Sequence, residues 1–291
     1  MGPGASGQEP AGGEQSTTTS APAAVETRPF GVTVRHEEFV DTSRPTAEPG
    51  HPAYSAERTL PTDIYLPDAS TPRPLIMFSH GYHGAPRKFS QLFRAWARAG
   101  YIVASPQFPL TSDRGEPYDA LGDFANQPAD ISFVLTQLLE GDLASRIDTS
   151  RIGAAGLSLG GATTYGLIES PCCRDDRFTA AAVFDAVRIP IRAPFEQNKI
   201  PLLIAHIDTD YAAPYKTAQQ SYAESASPKW LLTFVGGIHP EAYEDSPSPH
   251  DETATQTSID FWDLTLLGDE SARARLLEHG DNPGESSIVA G

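Results

Sequence analysis

The sequence predicts an α/β domain built on a mostly parallel, doubly wound sheet with helices on both faces. Short, continuously apolar runs such as Pro74-Leu75-Ile76-Met77-Phe78-Ser79 recur along the chain, the pattern of strands covered on both faces. Stretches with apolar residues at helical spacing alternate with them, as connections between parallel strands require. The 291 residues, 39% of them hydrophobic, suffice for one domain of roughly 250 residues with a large core.

Taken in order, residues 30–40 and 58–66 read as early strands joined by a Pro-rich connection, and 74–79 as a buried one. Phe89, Leu92, Phe93 and Trp96 place a helix over 87–99, which Gly100 can close. A strand follows at 101–105, then a helix over 129–139 opened by Asn126-Gln127-Pro128. Further strands are expected at 151–155, 180–184, 201–206 and 230–235. Helices are expected at 159–169, 215–226 and 256–267, with a short one near 271–278. Trp96, Trp230 and Trp262 fall on these patterns and read as core. Ligands of such sheets bind beyond the carboxyl ends of the strands, so chemistry-bearing residues should follow strand runs. The acidic loop 111–127 and the loop 185–198 border that edge.

Composition excludes several partners. With 21 Lys+Arg against 38 Asp+Glu the net charge is −17, which repels nucleic acid and anionic lipid. No apolar run approaches the ~20 residues of a membrane span. Residues 1–29, rich in Gly, Ser, Thr, Pro and Ala, read as a disordered N-terminal spacer before a single domain at 30–291. This stretch lacks the basic start and apolar core of a signal peptide. It suits the start of a secreted or cell-envelope protein whose leader has been removed, with a cytoplasmic tail as the alternative. Cys172 and Cys173 are adjacent, so they form a vicinal disulfide or remain two loop thiols, and no zinc ligand set surrounds them.

Gly156-Leu157-Ser158-Leu159-Gly160 matches G-x-S-x-G between an expected strand and an expected helix. That is the setting of a nucleophile elbow in an α/β-hydrolase fold, in which glycines flank a serine held on a sharp turn. A serine hydroxyl needs a base, and the base an orienting acid, in the chain order Ser, acid, His. His239, in Val235-Gly236-Gly237-Ile238-His239, directly follows the last expected strand; the rival His250 sits in a Ser/Pro-rich stretch. Asp210 follows the strand 201–206 and Asp185 ends the strand 180–184, so either can be the acid. Asp208 reads as a turn residue bonding its own backbone. The oxyanion requires two N–H donors. Leu159, next after the serine, supplies one, and Tyr82 in Ser79-His80-Gly81-Tyr82-His83-Gly84 supplies the other. His80 reads as a structural hydrogen-bonder, and His36, His51, His83 and His206 are not assigned to the site.

The combination SHGYHG, GLSLGG, HIDTDYAAP and GGIHP, spanning roughly residues 55–270, resembles serine α/β-hydrolases of the cutinase-like polyester hydrolase and platelet-activating-factor-acetylhydrolase-like group. The resemblance implies Ser158, Asp210 and His239 as the triad and Tyr82 and Leu159 as the oxyanion residues. In the acetylhydrolase branch the acid follows the strand that here ends before Asp185. Polyester hydrolases often carry an aromatic residue after that strand, where this chain has Asp185-Ala186-Val187; Tyr82 and Val187 are the substrate-binding candidates. The C-terminal disulfide of cutinase-like enzymes is missing. The expected activity is carboxylic-ester hydrolysis through an acyl-enzyme, as an esterase, lipase or polyesterase, on a small or polymeric ester and with no metal or organic cofactor. Alternatives are a phospholipid acetylhydrolase, a dienelactone-type hydrolase, or a non-catalytic cell-surface binding module that kept the fold.

Overall fold

The computed structural model describes residues 1–2, 4, 28–114, 120–192 and 194–291. Most of the expected spacer, and residues 115–119 of the acidic loop, lie outside the described residues. Arg28, the last but one residue of that spacer, is fastened to the folded chain: its guanidinium donates two 2.6 Å bonds to Asp263 and lies over the Tyr101 ring.

The strands are β1 Val32–Asp41, β2 Arg58–Pro67, β3 Arg73–Ser79, β4 Ile102–Pro106, β5 Ile147–Leu157, β6 Ala180–Phe184, β7 Leu202–Ile207, β8 Lys229–Phe234 and β9 Ser286–Ala290. The helices are α1 Ser90–Arg98, α2 Gln127–Glu140, α3 Leu159–Glu169, α4 Tyr215–Glu224, α5 Asp251–Trp262 and α6 Ala272–Gly280. One nine-stranded sheet runs β1-β2-β4-β3-β5-β6-β7-β8-β9. Pairing is parallel from β4 through β8, and antiparallel at β1–β2, β2–β4 and β8–β9. This is the mostly parallel sheet that the sequence predicts.

Side-chain alternation divides the core into two layers. Ile76, Phe78, Ala155, Leu157, Phe184, Leu203, Trp230 and Phe234 point to the face covered by α1, α5 and α6, with Phe93, Trp96, Phe261 and Trp262. Leu75, Met77, Ile152, Ala154, Val183, Ile204 and Leu231 point to the face covered by α2, α3 and α4, with Val134, Leu135, Tyr165 and Ile168. Each central strand therefore buries both its odd and its even positions, which is why these strands read as unbroken apolar runs.

Some elements differ from the sequence reading. β9 is not foreseen, because Ser286-Ser287-Ile288-Val289-Ala290 offers little apolar signal, yet it pairs along β8. β5 begins at Ile147, through the polar Asp148, Thr149 and Ser150, because Ile147 pairs with Arg73 across a register shift. The last long helix starts at Asp251, where Asp251 and Glu252 face the positive helix end, and a π-turn at Asp263–Leu267 finishes it.

A buried ionic cluster ties β2 to the chain leading into α2. Arg58 is fully buried, donates to Asp123 at 2.9 and 3.0 Å and to Asp130 at 2.8 and 2.6 Å, and so is bidentate to both. Removing one partner of such a group leaves uncompensated charge in the interior. Arg58→Ala, which leaves Asp123 without a cationic partner and Asp130 with Arg44 alone, should destabilise the fold by about 3–5 kcal/mol. Asp123→Asn together with Asp130→Asn should restore part of that loss, measured by chemical denaturation of the single and combined variants.

Candidate active site

The parallel strands β5, β6, β7 and β8 lie side by side, so the residues following them gather along one edge of the sheet. Ser158 follows β5, Asp185 follows β6, Asp208 and Asp210 follow β7, and His239 follows β8.

Ser158 occupies a left-handed backbone conformation, φ 55° and ψ −117°, at the N-terminus of α3. Its N–H donates to Phe184 O at 2.8 Å, which ties the turn to the end of β6. The turn closes only because its glycines lack side chains. A Cβ on Gly160 would lie 2.0 Å from Ser79 O, one on Gly156 2.2 Å from Gly160 O, and one on Gly161 2.3 Å from the Ala186 Cβ. The first-turn amides of α3, Leu159 first among them, have no acceptor within the helix and concentrate positive potential beside the serine.

The loop after β3 passes against this turn, since a Cβ on Gly81 would lie 3.2 Å from the Ser158 Cβ. His80 is fully buried; its Nε2 accepts the Phe108 N–H at 3.0 Å, so Nδ1 carries the proton and donates to Gly81 O at 2.8 Å. Burial pushes its pKa down to about 4, so it stays neutral and braces the loop, as its sequence setting implies. Tyr82, on the same loop, is partly exposed and packs its ring edge-on to His83, with centroids 4.2 Å apart. Val187, two residues past Asp185, is partly buried on the loop after β6.

His239 Nδ1 donates to Asp210 Oδ2 at 2.7 Å. The other oxygen of Asp210 accepts the N–H groups of Ala212 and Ala213 at 2.7 and 2.9 Å. Burial raises the Asp210 pKa, but the bond from His239 and these two amides outweigh it and hold the carboxyl below its ordinary value. For His239, burial acts downward; the bond to Asp210 and the acidic groups around the imidazole prevail and raise its pKa above 6.5.

The segment carrying His239 turns through Gly236 and Gly237, both at positive φ (70° and 111°). Asp208 accepts the Gly236 N–H at 2.7 Å, Thr209 donates to Gly237 O at 3.0 Å, and His250 Nε2 bonds Gly236 O at 3.1 Å. The rival His250 is thus a clamp on the loop that carries His239. Asp208 holds that same loop instead of its own backbone, so the expected turn role belongs to Asp210.

Asp185 is fully buried, and its Oδ1 accepts the Ile207 N–H at 2.8 Å. His239 bonds Asp210, not this alternative acid. His206, unassigned from sequence, is buried and its Nε2 donates to Ala213 O at 2.7 Å, closing the loop that carries Asp210. Its signal lay in the HIDTD run, four residues before Asp210.

One donor atom each from Asp185, His206 and Asp210 lies within 4.8 Å of the others, a spacing that a cation could bridge. Both Asp210 oxygens and His206 Nε2 already hold partners, leaving Asp185 Oδ2 and His206 Nδ1 as the buried atoms without one among the described residues. Two open donors fall short of the three or four protein ligands of a zinc site, and the group suits a proton better.

A model of the family described as chlorophyllase matches residues 39–188, from the end of β1 through Ser158 to just beyond Asp185. No curated protein matches the chain.

The contact of Gly160 with Ser79 O makes the turn intolerant of a side chain. Gly160→Ala should cost about 1–3 kcal/mol through forced backbone movement, read as a lowered melting temperature. Gly268→Ala separates the two kinds of cost, since a Cβ there meets nothing within 4 Å and its loss reports only the backbone strain of φ +71°.

Proposed function

The chain belongs to the chlorophyllase family, an α/β-hydrolase-type family of carboxylic-ester hydrolases, and from that premise we propose that Ser158, His239 and Asp210 form a catalytic triad that cleaves an apolar carboxylic ester through an acyl-enzyme. The observation that carries this reading is the 2.7 Å bond between His239 and Asp210 on the sheet edge where the Ser158 turn also lies. The motifs resembling cutinase-like and acetylhydrolase-like enzymes support the same chemistry.

His239 Nε2 removes the Ser158 proton as the hydroxyl oxygen attacks the ester carbonyl. The oxyanion of the tetrahedral intermediate accepts hydrogen bonds from the N–H groups of Leu159 and Tyr82. His239 then gives the proton to the departing alkoxide, which leaves as the alcohol. Water, deprotonated by the same imidazole, attacks the acyl-enzyme and releases the acid. Asp210 fixes the tautomer with the proton on Nδ1 and stabilises the imidazolium that forms in each half-reaction.

The rim of this edge bears on the substrate. Tyr82, Leu121, Ile189, Tyr211, Val235 and Ile238 are large apolar residues left exposed on loops after β3, β4, β6, β7 and β8. Glu241 and Glu244 lie near the His239 segment, and the whole chain is acidic. Such a mouth favours an ester with an extended apolar part and no negative charge. It suits a lipase-like or polyester substrate better than an anionic phospholipid.

A fluorophosphonate probe should label the wild type and fail to label Ser158→Ala, and kcat for p-nitrophenyl esters should fall by a factor of about 10⁴ or more in Ser158→Ala and His239→Ala. An unlabelled wild type would make the chain a binding module. Among esters of increasing acyl length, kcat/KM should rise from acetate toward longer chains. Only the neutral imidazole accepts a proton, so kcat/KM should fall as pH drops, with a midpoint above 6.5 because the His239 pKa is raised. Asp210→Asn removes the largest upward influence and should move that midpoint to lower pH.

A further inference from the structure

Asp185 is not used by the mechanism above, yet it is enclosed at the heart of the site. It is fully buried, its backbone sits at φ 43°, and one of its oxygens has no partner among the described residues. A left-handed non-glycine residue of this kind persists only where its surroundings over-determine it, and such residues cluster at functional sites. It lies within 4.8 Å of donor atoms of His206 and Asp210. The titratable groups that bear on it are His206 and Asp210 at β7, and His239, Glu241 and Tyr243 from the segment after β8.

Resting on the triad reading above, we propose that Asp185 and Asp210 act as a two-carboxyl unit beneath His239 that carries one negative charge, with the proton on Asp185, and that Asp185 becomes the counter-charge of the imidazole when Asp210 is neutralised.

Two buried carboxylates this close repel, so one of them keeps its proton. The choice between them follows from their donors. Asp210 receives three hydrogen bonds, from His239, Ala212 and Ala213, whereas Asp185 receives one, from Ile207. The carboxylate therefore resides on Asp210. His206 gives its Nε2 proton to Ala213 O, leaving Nδ1 a bare acceptor; Nδ1, Asp185 Oδ2 and Tyr243 Oη are all buried atoms without a partner among the described residues. Protonation of Asp185 turns two acceptors into one donor and one acceptor. Burial, the first cause, raises the Asp185 pKa to about 7, aided by the charges of Asp210 and Glu241 and opposed by the Ile207 amide and His239. Neutralising Asp210 removes that repulsion, so Asp185 then releases its proton to solvent and faces the imidazole as a carboxylate.

The test combines a double-variant cycle with two readouts that need no turnover. Loss of a lone triad carboxylate costs roughly 10⁴-fold in kcat. Asp210→Asn in the wild-type background should cost clearly less, and the same change in an Asp185→Asn background should cost the full amount. Equal losses in the two backgrounds would overturn the proposal. Infrared spectra below neutral pH should contain the carbonyl stretch of a buried carboxylic acid that disappears in Asp185→Asn; its absence from the folded wild type also overturns the proposal. The sign of the stability effect is fixed. A folded pKa near 7 against 3.8 for an ordinary aspartate means that the Asp185 proton contributes stability fully below pH 3.8, and that this is lost as pH rises through 7. The melting temperature of the wild type relative to Asp185→Asn should therefore fall over that window, and a flat difference counts against the shared charge. Should Asp185→Asn not fold, Asp185→Ser, which also has no carboxyl to titrate, replaces it. If the infrared band is present while fluorophosphonate labelling fails, the triad reading falls and the shared proton stands.

Discussion

The backbone of the Ser158 turn approaches its neighbours so closely that no side chain fits at Gly156, Gly160 or Gly161, and the rest of the site is arranged around that closeness. Ser79 O faces Gly160, Ala186 faces Gly161, and Phe184 O receives the Ser158 amide, so β3, β5 and β6 converge on one residue. The serine's left-handed conformation is unfavourable for a residue with a Cβ, and it is held there by strands whose both faces are buried. The sheet's packing free energy thus opposes the local strain. A serine on an ordinary helix end would lack this support and would relax toward the helix.

The site also confines charge. Beside the serine turn, three carboxyl groups and two imidazoles occupy the ends of three strands. Asp208 is spent on the Gly236 amide, His206 on the Ala213 carbonyl, and Asp210 on His239. Each side chain has a distinct backbone or side-chain partner, which fixes the position of the His239 imidazole without an additional element. Asp210 and His239 lie on separate segments, 29 residues apart. Their alignment therefore depends on the clamps Asp208, Thr209 and His250 as much as on the strands themselves.

Much of the fold was legible in the sequence because the central strands are apolar at every position and the helices between them carry periodic apolar residues. The elbow was legible for a related reason: only glycine tolerates the contacts around Ser158, so the constraint is written as Gly156, Gly160 and Gly161. The placement of His239 and Asp210 on one edge followed from the rule that the segments after parallel strands gather there. Other features left weaker traces. β9 owes its strand conformation to pairing with β8, a tertiary contact without a local apolar signature. Asp208, His206 and His250 act through the backbone of a loop remote in sequence, and a polar residue serving a distant amide looks like any other turn residue. The Cys172–Cys173 question is answered by the structure, where the two sulfurs are bonded.

The two borders of the sheet carry a further consequence. β1 presents Arg35, His36, Glu37 and Glu38 along its length, and β9 is only five residues long. Charge on one margin and brevity on the other are both features that keep a foreign strand from hydrogen-bonding to an open edge. A nine-stranded sheet with two sticky margins would tend to grow into ribbons at high concentration. Here growth by strand addition is discouraged from both sides.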